Sequence, residues 1–238
     1  IPDREARGAI SASPHRRIDA GAVGSLVADF PLQLFPAGET RIVKTVEYLL
    51  EHSCFEGGFF QNMIHSGINA YLTIHLAQVL LRAGDLRAHE LIDTVARLAS
   101  PTGQWPEAIH PQTKGGCMGD GQHIWAAAEW ALMIRNLFVR EENDRLIVGS
   151  GIFPRWLETG KRFSFGPTLT RFGSVNISFD PNQSAKGILS DQPLPQTFTL
   201  AVEGNWFGSA PEIEVCVPGF EAQPRAARPN TYFLSPKI

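Results

Sequence analysis

The sequence predicts a mainly α-helical chain that ends in a β-rich region. Two observations carry this prediction. Helices that are apolar nearly all round alternate with amphipathic helices up to residue 141, and beyond that point the hydrophobic period changes from 3.6 to 2. Such alternation indicates an inner and an outer layer of helices, which is the pattern of an α/α toroid. We therefore expect a partial toroid of about five helices, followed by a small antiparallel β-sandwich. An ordinary helical bundle is the alternative, although a bundle does not require the alternation.

The composition shifts divide the chain into three regions. Residues 1–18 are polar and contain two prolines, which is typical of an entering arm. Residues 19–141 hold the helices and form the predicted toroid segment, a half barrel. Residues 142–238 form the predicted β-rich domain.

The first two predicted helices differ in character. Asp19 can cap a helix of small apolar residues that Pro31 ends, so this helix is expected to be buried among close neighbours. Residues 39–52 carry an apolar stripe opposite a charged one, so this second helix is expected to face water.

The same alternation continues in the next three helices. Residues 66–83 are apolar on nearly every face and end at Gly84, which predicts a second buried helix. Residues 86–100 are amphipathic again. Residues 122–139 are rich in Ala, Leu and Trp, which predicts a third buried helix.

Beyond residue 141, three segments alternate apolar and polar side chains: residues 174–179, 197–202 and 213–217. This period is typical of half-buried strands, which we expect to pair antiparallel. Gly, Pro, Asn and Asp separate the segments and predict turns between them.

The bulk properties exclude several classes of partner. With 238 residues and 43% hydrophobic side chains, the chain is long and apolar enough for a proper core. Its net charge of −3 gives no basic surface, so nucleic acid and membrane are not expected as partners. Three separated cysteines without a CxxC pair predict neither disulfides nor a zinc site and favour a reducing, cytoplasmic location. No metal and no cofactor are expected.

The stretch from Trp105 to Trp125 concentrates titratable side chains ahead of a helix. It brings Glu107, His110, Asp120 and His123 to the helix N-terminus, where free N–H groups also lie. In a toroid the inner helices would bring further polar groups to the same mouth, namely Asp19, His65 and Asn69. We expect a hollow there that binds a small molecule or a neutral polymer.

Several motifs of this stretch resemble the C-terminal half of the six-hairpin glycosidases, with glucoamylase-like enzymes the most similar. They are Ser-Pro-Thr-Gly-Gln-Trp-Pro-Glu at 100–107, His-Ile-Trp-Ala-Ala-Ala-Glu at 123–129, and the segment 149–157 that opens the β region. The resemblance spans residues 19–175. It implies an (α/α)6 toroid in which the loop before the last inner helix carries a catalytic glutamate, the general base of an inverting hydrolase. Glu107 matches that position.

The chain also departs from that family. Five helices cannot close a ring of twelve, and the earlier loop with the general acid is not found. The first residue is not Met either, which indicates a fragment or a processed piece. Because a half ring would expose apolar faces, we expect association with the missing N-terminal half or with a second copy.

Inverting hydrolysis uses one carboxyl group to protonate the leaving oxygen and a second to deprotonate water. The resemblance assigns the second role to Glu107, for which a surface-loop glutamate is the alternative. Trp105, Trp125 and Tyr71 can stack on a sugar ring, although a core position is favoured for Trp125. A buried Glu129 needs a partner, so it is expected either to pair with an Arg or Lys, which is favoured, or to line the pocket. The candidate hydroxyl-binding residues, each alternatively a helix cap or a loop contact, are Asp19, His65, Asn69, His110, Asp120 and His123.

The predicted function is therefore hydrolysis of an oligosaccharide or polysaccharide. One alternative is a glycoside phosphorylase, in which the glycine-rich segment 114–121 would hold phosphate in place of activated water. The other alternative is a noncatalytic carbohydrate-binding or assembly module.

Overall fold

A computed structural model of the chain describes residues 8–62, 66–182, 196–226 and 228–237. Of these residues 32% are helical and 29% lie in strands. The protein is therefore a mixed α and β structure, and the predicted mainly α fold with a partial (α/α)6 toroid is wrong. The hydrophobic period found the long helices but not the strands of two to four residues that lie between them along the chain, because such short strands carry no detectable period.

Two compact units make up the chain, Ile1–Met133 and Ile134–Ile238. The boundary between the units lies inside the helix Ile124–Phe138, and the predicted domain limits at residues 18 and 141 stay predictions. The helices of the first unit, the last of which continues into the second, are a 3-10 helix at Ala20–Ala28, α1 at Thr40–His52, α2 at Ala70–Ala83, α3 at Arg87–Leu98 and α4 at Ile124–Phe138.

Helix α2 is the centre of the first unit. Eleven of its 14 residues are buried, and it packs against the 3-10 helix, α1 and α3. The helix ends at the predicted place. Gly84 follows it in the left-handed conformation, with a φ of 73° that favours glycine. The predicted buried character of this helix and the amphipathic character of α1 and α3 are confirmed.

The first predicted helix is a 3-10 helix rather than an α-helix. Asp19 caps it as expected, accepting a hydrogen bond from the backbone N–H of Gly21 at 2.8 Å. Two glycines in nine residues weaken the α-helical preference of this segment, which suits the tighter 3-10 form.

A small antiparallel sheet joins the helices of the first unit. Its strands lie in chain order and are β1 at Cys54–Phe55, β2 at Gly58–Gln61, β3 at Gly67–Ile68, β4 at Ala108–Ile109 and β5 at Gly116–Met118. Ile68 pairs with Ile109, so the start of α2 is tied to the stretch that carries Glu107. Gly67 permits this approach, because a Cβ there would lie 2.9 Å from that of Ala108.

Helix α4 is not buried all round, and that prediction is wrong. Ile124 is 82% exposed and Trp125 is 55% exposed, and Ala127, Ala128 and Ala131 are also exposed. The apolar residues therefore mark a face that is open to solvent. Its predicted burial against another copy or further helices stays a prediction.

The second unit contains two sheets. Its further elements are β6 at Val139–Glu142, β7 at Arg145–Val148, α5 at Pro154–Glu158, β8 at Phe163–Thr170, β9 at Gly173–Pro181, β10 at Phe198–Trp206, β11 at Glu212–Val215, β12 at Phe220–Pro224 and β13 at Thr231–Pro236. The five-stranded sheet has the order β12-β13-β10-β9-β8 and is antiparallel throughout, and the three-stranded sheet has the order β11-β7-β6.

Strands β9 and β10 contain two of the three predicted strands and pair antiparallel, as expected. Their inward side chains join a core of aromatic rings, in which Phe163 and Phe179 stack with centroids 4.6 Å apart. The third predicted strand differs, because β11 pairs parallel with β7. Alternation identifies the two faces of a strand but not the direction of its neighbour, so the sequence pattern could not reveal this.

In the described part of the chain, no helix is both long and apolar enough to cross a membrane. Cys54, Cys117 and Cys216 are free thiols in this structure. Burial raises the pKa of the Cys54 thiol to about 11, which makes it a poor nucleophile at neutral pH.

His75 in α2 makes the stability of the first unit sensitive to acid. Burial lowers its pKa below the ordinary 6.5, an effect that a backbone hydrogen bond with Leu26 partly opposes. The unfolded chain therefore takes up this proton at a higher pH than the folded chain does. We expect the free energy of unfolding to fall as the pH drops below about 6.5, by about 1.4 kcal/mol for each unit by which the folded pKa is depressed.

Urea denaturation at pH 7.5 and at pH 5.5 measures this effect. A His75→Leu variant should lose part of the pH dependence, because no group then changes its charge at this position. The exposed His15 supplies the control, and a His15→Gln variant should keep the dependence of the parent chain. Equal pH dependence in the parent and in His75→Leu contradicts the prediction.

Candidate functional site

Glu107 projects from a backbone that is fixed on both sides. Trp105 before it is only 4% exposed, and its indole N–H donates to the carbonyl of Val95 at 2.9 Å. Ala108 and Ile109 after it are fully buried and form β4. The Glu107 side chain is half-buried, and the buried residues on both sides hold the backbone that carries it.

Two further contacts hold the Glu107 peptide. The side-chain amide of Asn69 donates to the Glu107 carbonyl at 2.7 Å. On the other strand of the hairpin, Gly119 has a φ of 79° and lies so close that a Cβ there would be 3.3 Å from the Glu107 nitrogen. The glycine-rich segment is therefore needed partly to let the chain pass Glu107.

An aromatic cluster lies beside this carboxyl group. Tyr71 and Trp125 stack with ring centroids 4.6 Å apart and an interplanar angle of 29°, and the His123 ring lies 4.9 Å from Tyr71. Burial and the negative charge of Glu107 both raise the pKa of the Tyr71 hydroxyl. The charge of Glu107 therefore acts on Tyr71, whose ring stacks on the partly exposed ring of Trp125.

Glu129 holds Trp125 from its own helix. The Trp125 indole N–H lies 3.4 Å from Glu129 Oε1, one helical turn along α4. Burial raises the pKa of the Glu129 carboxyl group, and the hydrogen bond from Trp125 opposes the rise. Of the two alternatives for Glu129, a structural pairing with Arg or Lys or a place in the pocket lining, the structure gives neither an Arg nor a Lys partner within the described residues, and the hydrogen-bond partner is the indole of Trp125.

Three buried polar atoms near this cluster have no hydrogen-bond partner in the described part of the chain: Asn69 Oδ1, His123 Nδ1 and Glu129 Oε2. An unpaired buried polar group destabilises the fold, so each of these atoms costs stability. We call Tyr71, Glu107, His123, Trp125 and Glu129 the aromatic–carboxylate cluster.

The other residues predicted for the site lie elsewhere or serve local structure. Asp19 caps the 3-10 helix and pairs with Arg16 at 2.7 Å. His110 Nδ1 accepts from the backbone N–H of Gln112 and Thr113, and so shapes the turn of the hairpin. Asp120 Oδ1 accepts from the backbone N–H of Gln122. His65 lies outside the described residues.

The burial of Trp105 and of Trp125 differs from what the sequence indicated. Trp105 was expected to stack on a sugar but is buried with its N–H paired, so it offers no open ring face. Trp125 was expected in the core but is more than half exposed. Its position in the first turn of α4, directly after the polar loop, was the one signal of exposure in the sequence.

A cavity of about 520 Å³ lies beside the glycine-rich segment. Its cationic lining side chains are Arg97, whose guanidinium donates to Thr94 Oγ1, and Lys114, which pairs with Glu56. The lining also includes Gly119, so the cavity adjoins the backbone that packs on Glu107.

The described residues contain no group of three or more His, Cys, Asp or Glu side chains placed to hold a metal ion.

Comparisons with known proteins give one weak structural neighbour. No family model matches the chain, and no curated protein matches it. A solved structure named "Glycosidase Wild Type" is similar to 55% of this chain with a TM-score of 0.44 and 17% sequence identity. The matched part spans 40% of that neighbour's length. The function proposed for the aromatic–carboxylate cluster therefore rests on its geometry.

Proposed function

We propose that this chain binds a carbohydrate on the exposed ring of Trp125, which stacks on Tyr71, and that Glu107 acts there as the general base of glycoside hydrolysis. The observation that carries the proposal is a carboxyl group on a firmly held backbone near Trp125, which is 55% exposed and stacks on the buried Tyr71. The C–H faces of a pyranose ring are apolar and pack on aromatic rings, while its hydroxyl groups need polar partners. The Trp-Pro-Glu resemblance to glucoamylase-like enzymes supports the same role for Glu107.

In this mechanism the Glu107 carboxylate takes a proton from water as the water attacks the anomeric carbon. The bond to the leaving oxygen breaks, the leaving oxygen takes up a proton from solvent water, and the configuration at the anomeric carbon inverts. Glu129 serves to hold Trp125 rather than to protonate the leaving group, because its Oε2 atom is buried. His123 lies beside Tyr71 and is the predicted hydroxyl-binding residue that belongs to the cluster.

A panel of neutral oligosaccharides and aryl glycosides tests the proposal. We expect release of a reducing sugar whose first-formed anomer, followed by proton NMR, has the opposite configuration to the substrate. Trp125→Ala should weaken sugar binding by about 1–2 kcal/mol, a roughly tenfold higher Kd, because a stacked aromatic face is lost. The exposed Phe207 of the second unit provides the matched control, and Phe207→Ala should leave the Kd unchanged.

Failure of the whole panel to bind, or equal binding by the parent and Trp125→Ala, contradicts the proposal. Binding without cleavage by the parent chain instead identifies a noncatalytic carbohydrate-binding module, the alternative from another functional class.

A phosphorylase is the second candidate, and the cavity beside the glycine-rich segment favours it. Arg97 makes no ion pair with a carboxylate in the described part of the chain, so its charge is available to an anion. Adding inorganic phosphate to the hydrolysis assay separates the two reactions. A phosphate-dependent sugar phosphate indicates a phosphorylase, whereas hydrolysis at the same rate with and without phosphate indicates a hydrolase.

A further inference from the structure

Asn69 occupies the position before α2, where an asparagine side chain usually caps the helix. The first N–H groups of a helix have no partner within it, and Asn is among the residues that best satisfy them. The Asn69 side chain makes no such bond. Its Nδ2 donates instead to the carbonyl of Glu107 at 2.7 Å, 38 residues further along the chain.

This arrangement leaves the oxygen atom of the Asn69 side chain without a partner. Asn69 is 1% exposed, and its Oδ1 atom has no hydrogen-bond partner in the described part of the chain. Turning the side chain to cap α2 would satisfy a helix N–H group and release the carbonyl of Glu107. A residue held in the arrangement that is worse for its own helix indicates that the contact with Glu107 has another use.

The Asn69 backbone is fixed tightly enough to serve as an anchor. Its N–H donates to the carbonyl of Phe59 at 2.9 Å, and its carbonyl accepts from the hydroxyl of Thr73 at 2.7 Å. That hydroxyl in turn accepts from the backbone N–H of Phe59 at 2.9 Å. The amide therefore extends from a rigid corner between β2, β3 and α2.

We propose that Asn69 is a positioning residue for Glu107, fixing the peptide from which the carboxyl group projects. The role rests on the function proposed for Glu107, and it replaces the sugar-binding role that the sequence predicted for Asn69. A general base must lie within hydrogen-bonding distance of the water it activates, and a misplacement of about 1 Å can lower the rate about 100-fold.

Two substitutions in the 238-residue chain separate positioning from simple stability. Asn69→Ala removes the bond to Glu107 and supplies no cap. Asn69→Ser also removes this bond, because its hydroxyl is too short to reach Glu107, but serine is a good helix cap and should keep or raise the stability. We expect both variants to lose kcat by about 10- to 100-fold with KM within about threefold of the parent.

A buried residue away from Glu107 supplies the control. Thr45 in α1 is as deeply buried as Asn69, and its hydroxyl accepts from the N–H of Ile10. Thr45→Val should lower the melting temperature without changing kcat. Activity that follows stability across these variants, with Asn69→Ser as active as the parent, overturns the proposal.

Tyr71 reports the position of Glu107 whether or not the chain is active. The carboxylate contributes to the raised pKa of Tyr71, so Glu107→Gln should lower this pKa in a 13C NMR titration of labelled tyrosine. If Asn69 positions Glu107, the Tyr71 titration also departs from that of the parent in both Asn69 variants. An unchanged titration rejects the positioning role even where Glu107→Gln abolishes turnover. A parent chain that cleaves no glycoside rejects the proposed function, while the Tyr71 titration still decides the role of Asn69.

Discussion

A Glu107→Gln variant is expected to lose about 10²- to 10⁴-fold in kcat, the usual contribution of general acid–base catalysis. The amide keeps the shape of the side chain and its mount between Trp105 and Ala108, but it cannot accept a proton from water. Because Tyr71 and Trp125 remain stacked, sugar binding should stay within about threefold of the parent chain. Initial rates on the best glycoside of the panel, together with a calorimetric Kd, measure the two effects separately.

A glutamate-to-glutamine substitution at an exposed position supplies the control. The Glu51 side chain in α1 is 63% exposed, and Glu51→Gln should leave kcat, Kd and the melting temperature unchanged. Turnover by Glu107→Gln at the parent rate eliminates Glu107 as the base. A loss of binding as large as the loss of rate indicates that Glu107 holds the sugar rather than activating water.

Arg82→Ala is expected to lower the free energy of unfolding by about 3–5 kcal/mol, the largest effect on stability predicted for this chain. The guanidinium is 2% exposed and lies 2.6 Å from the Asp29 carboxylate, which is 1% exposed. It also donates to the backbone carbonyls of Asp29 and Phe35. Its removal leaves a buried carboxylate without its counter-charge and frees two carbonyls between the 3-10 helix and α2.

Urea denaturation of the single and double variants measures this pair. Arg82→Met combined with Asp29→Leu should recover most of the lost stability, because apolar side chains of similar volume replace both charges. The ion pair between Arg87 and Asp85 is partly exposed, and Arg87→Ala should cost only about 0–1 kcal/mol. A cost for Arg82→Ala as small as that of Arg87→Ala shows that the buried pair does not hold the 3-10 helix to α2.

The helices could be predicted because their signals are local. Apolar side chains three and four residues apart identified α1, α2 and α3, and Gly84 correctly indicated the end of α2. The layering of these helices could not be predicted in the same way. The strands β1 to β5 are only two to four residues long. Their sheet depends on pairing between distant segments, such as Ile68 with Ile109, which are 41 residues apart.

How far the sequence could indicate the candidate site differs from residue to residue. Glu107 was predicted because its neighbours Trp105 and Pro106 resemble a catalytic motif, and its catalytic role stays a prediction. Trp125 was assigned to the core because its helix is apolar, although such a pattern says nothing about what covers each face. Asn69 was predicted to bind sugar. The sequence could not reveal that its side chain bonds to a backbone carbonyl 38 residues away.

The sequence alone determined where the helices and the two longest strands lie, and which loop concentrates the carboxyl groups, because propensity and hydrophobic spacing act between near neighbours. Only the tertiary structure decided that Trp125 is exposed, that Trp105 is buried and that Asn69 holds Glu107. Each of these facts depends on burial and hydrogen bonding between segments that are distant in the chain. The spacing of residues within one segment cannot predict such contacts, because the free energy of burial depends on both of the segments that pack together.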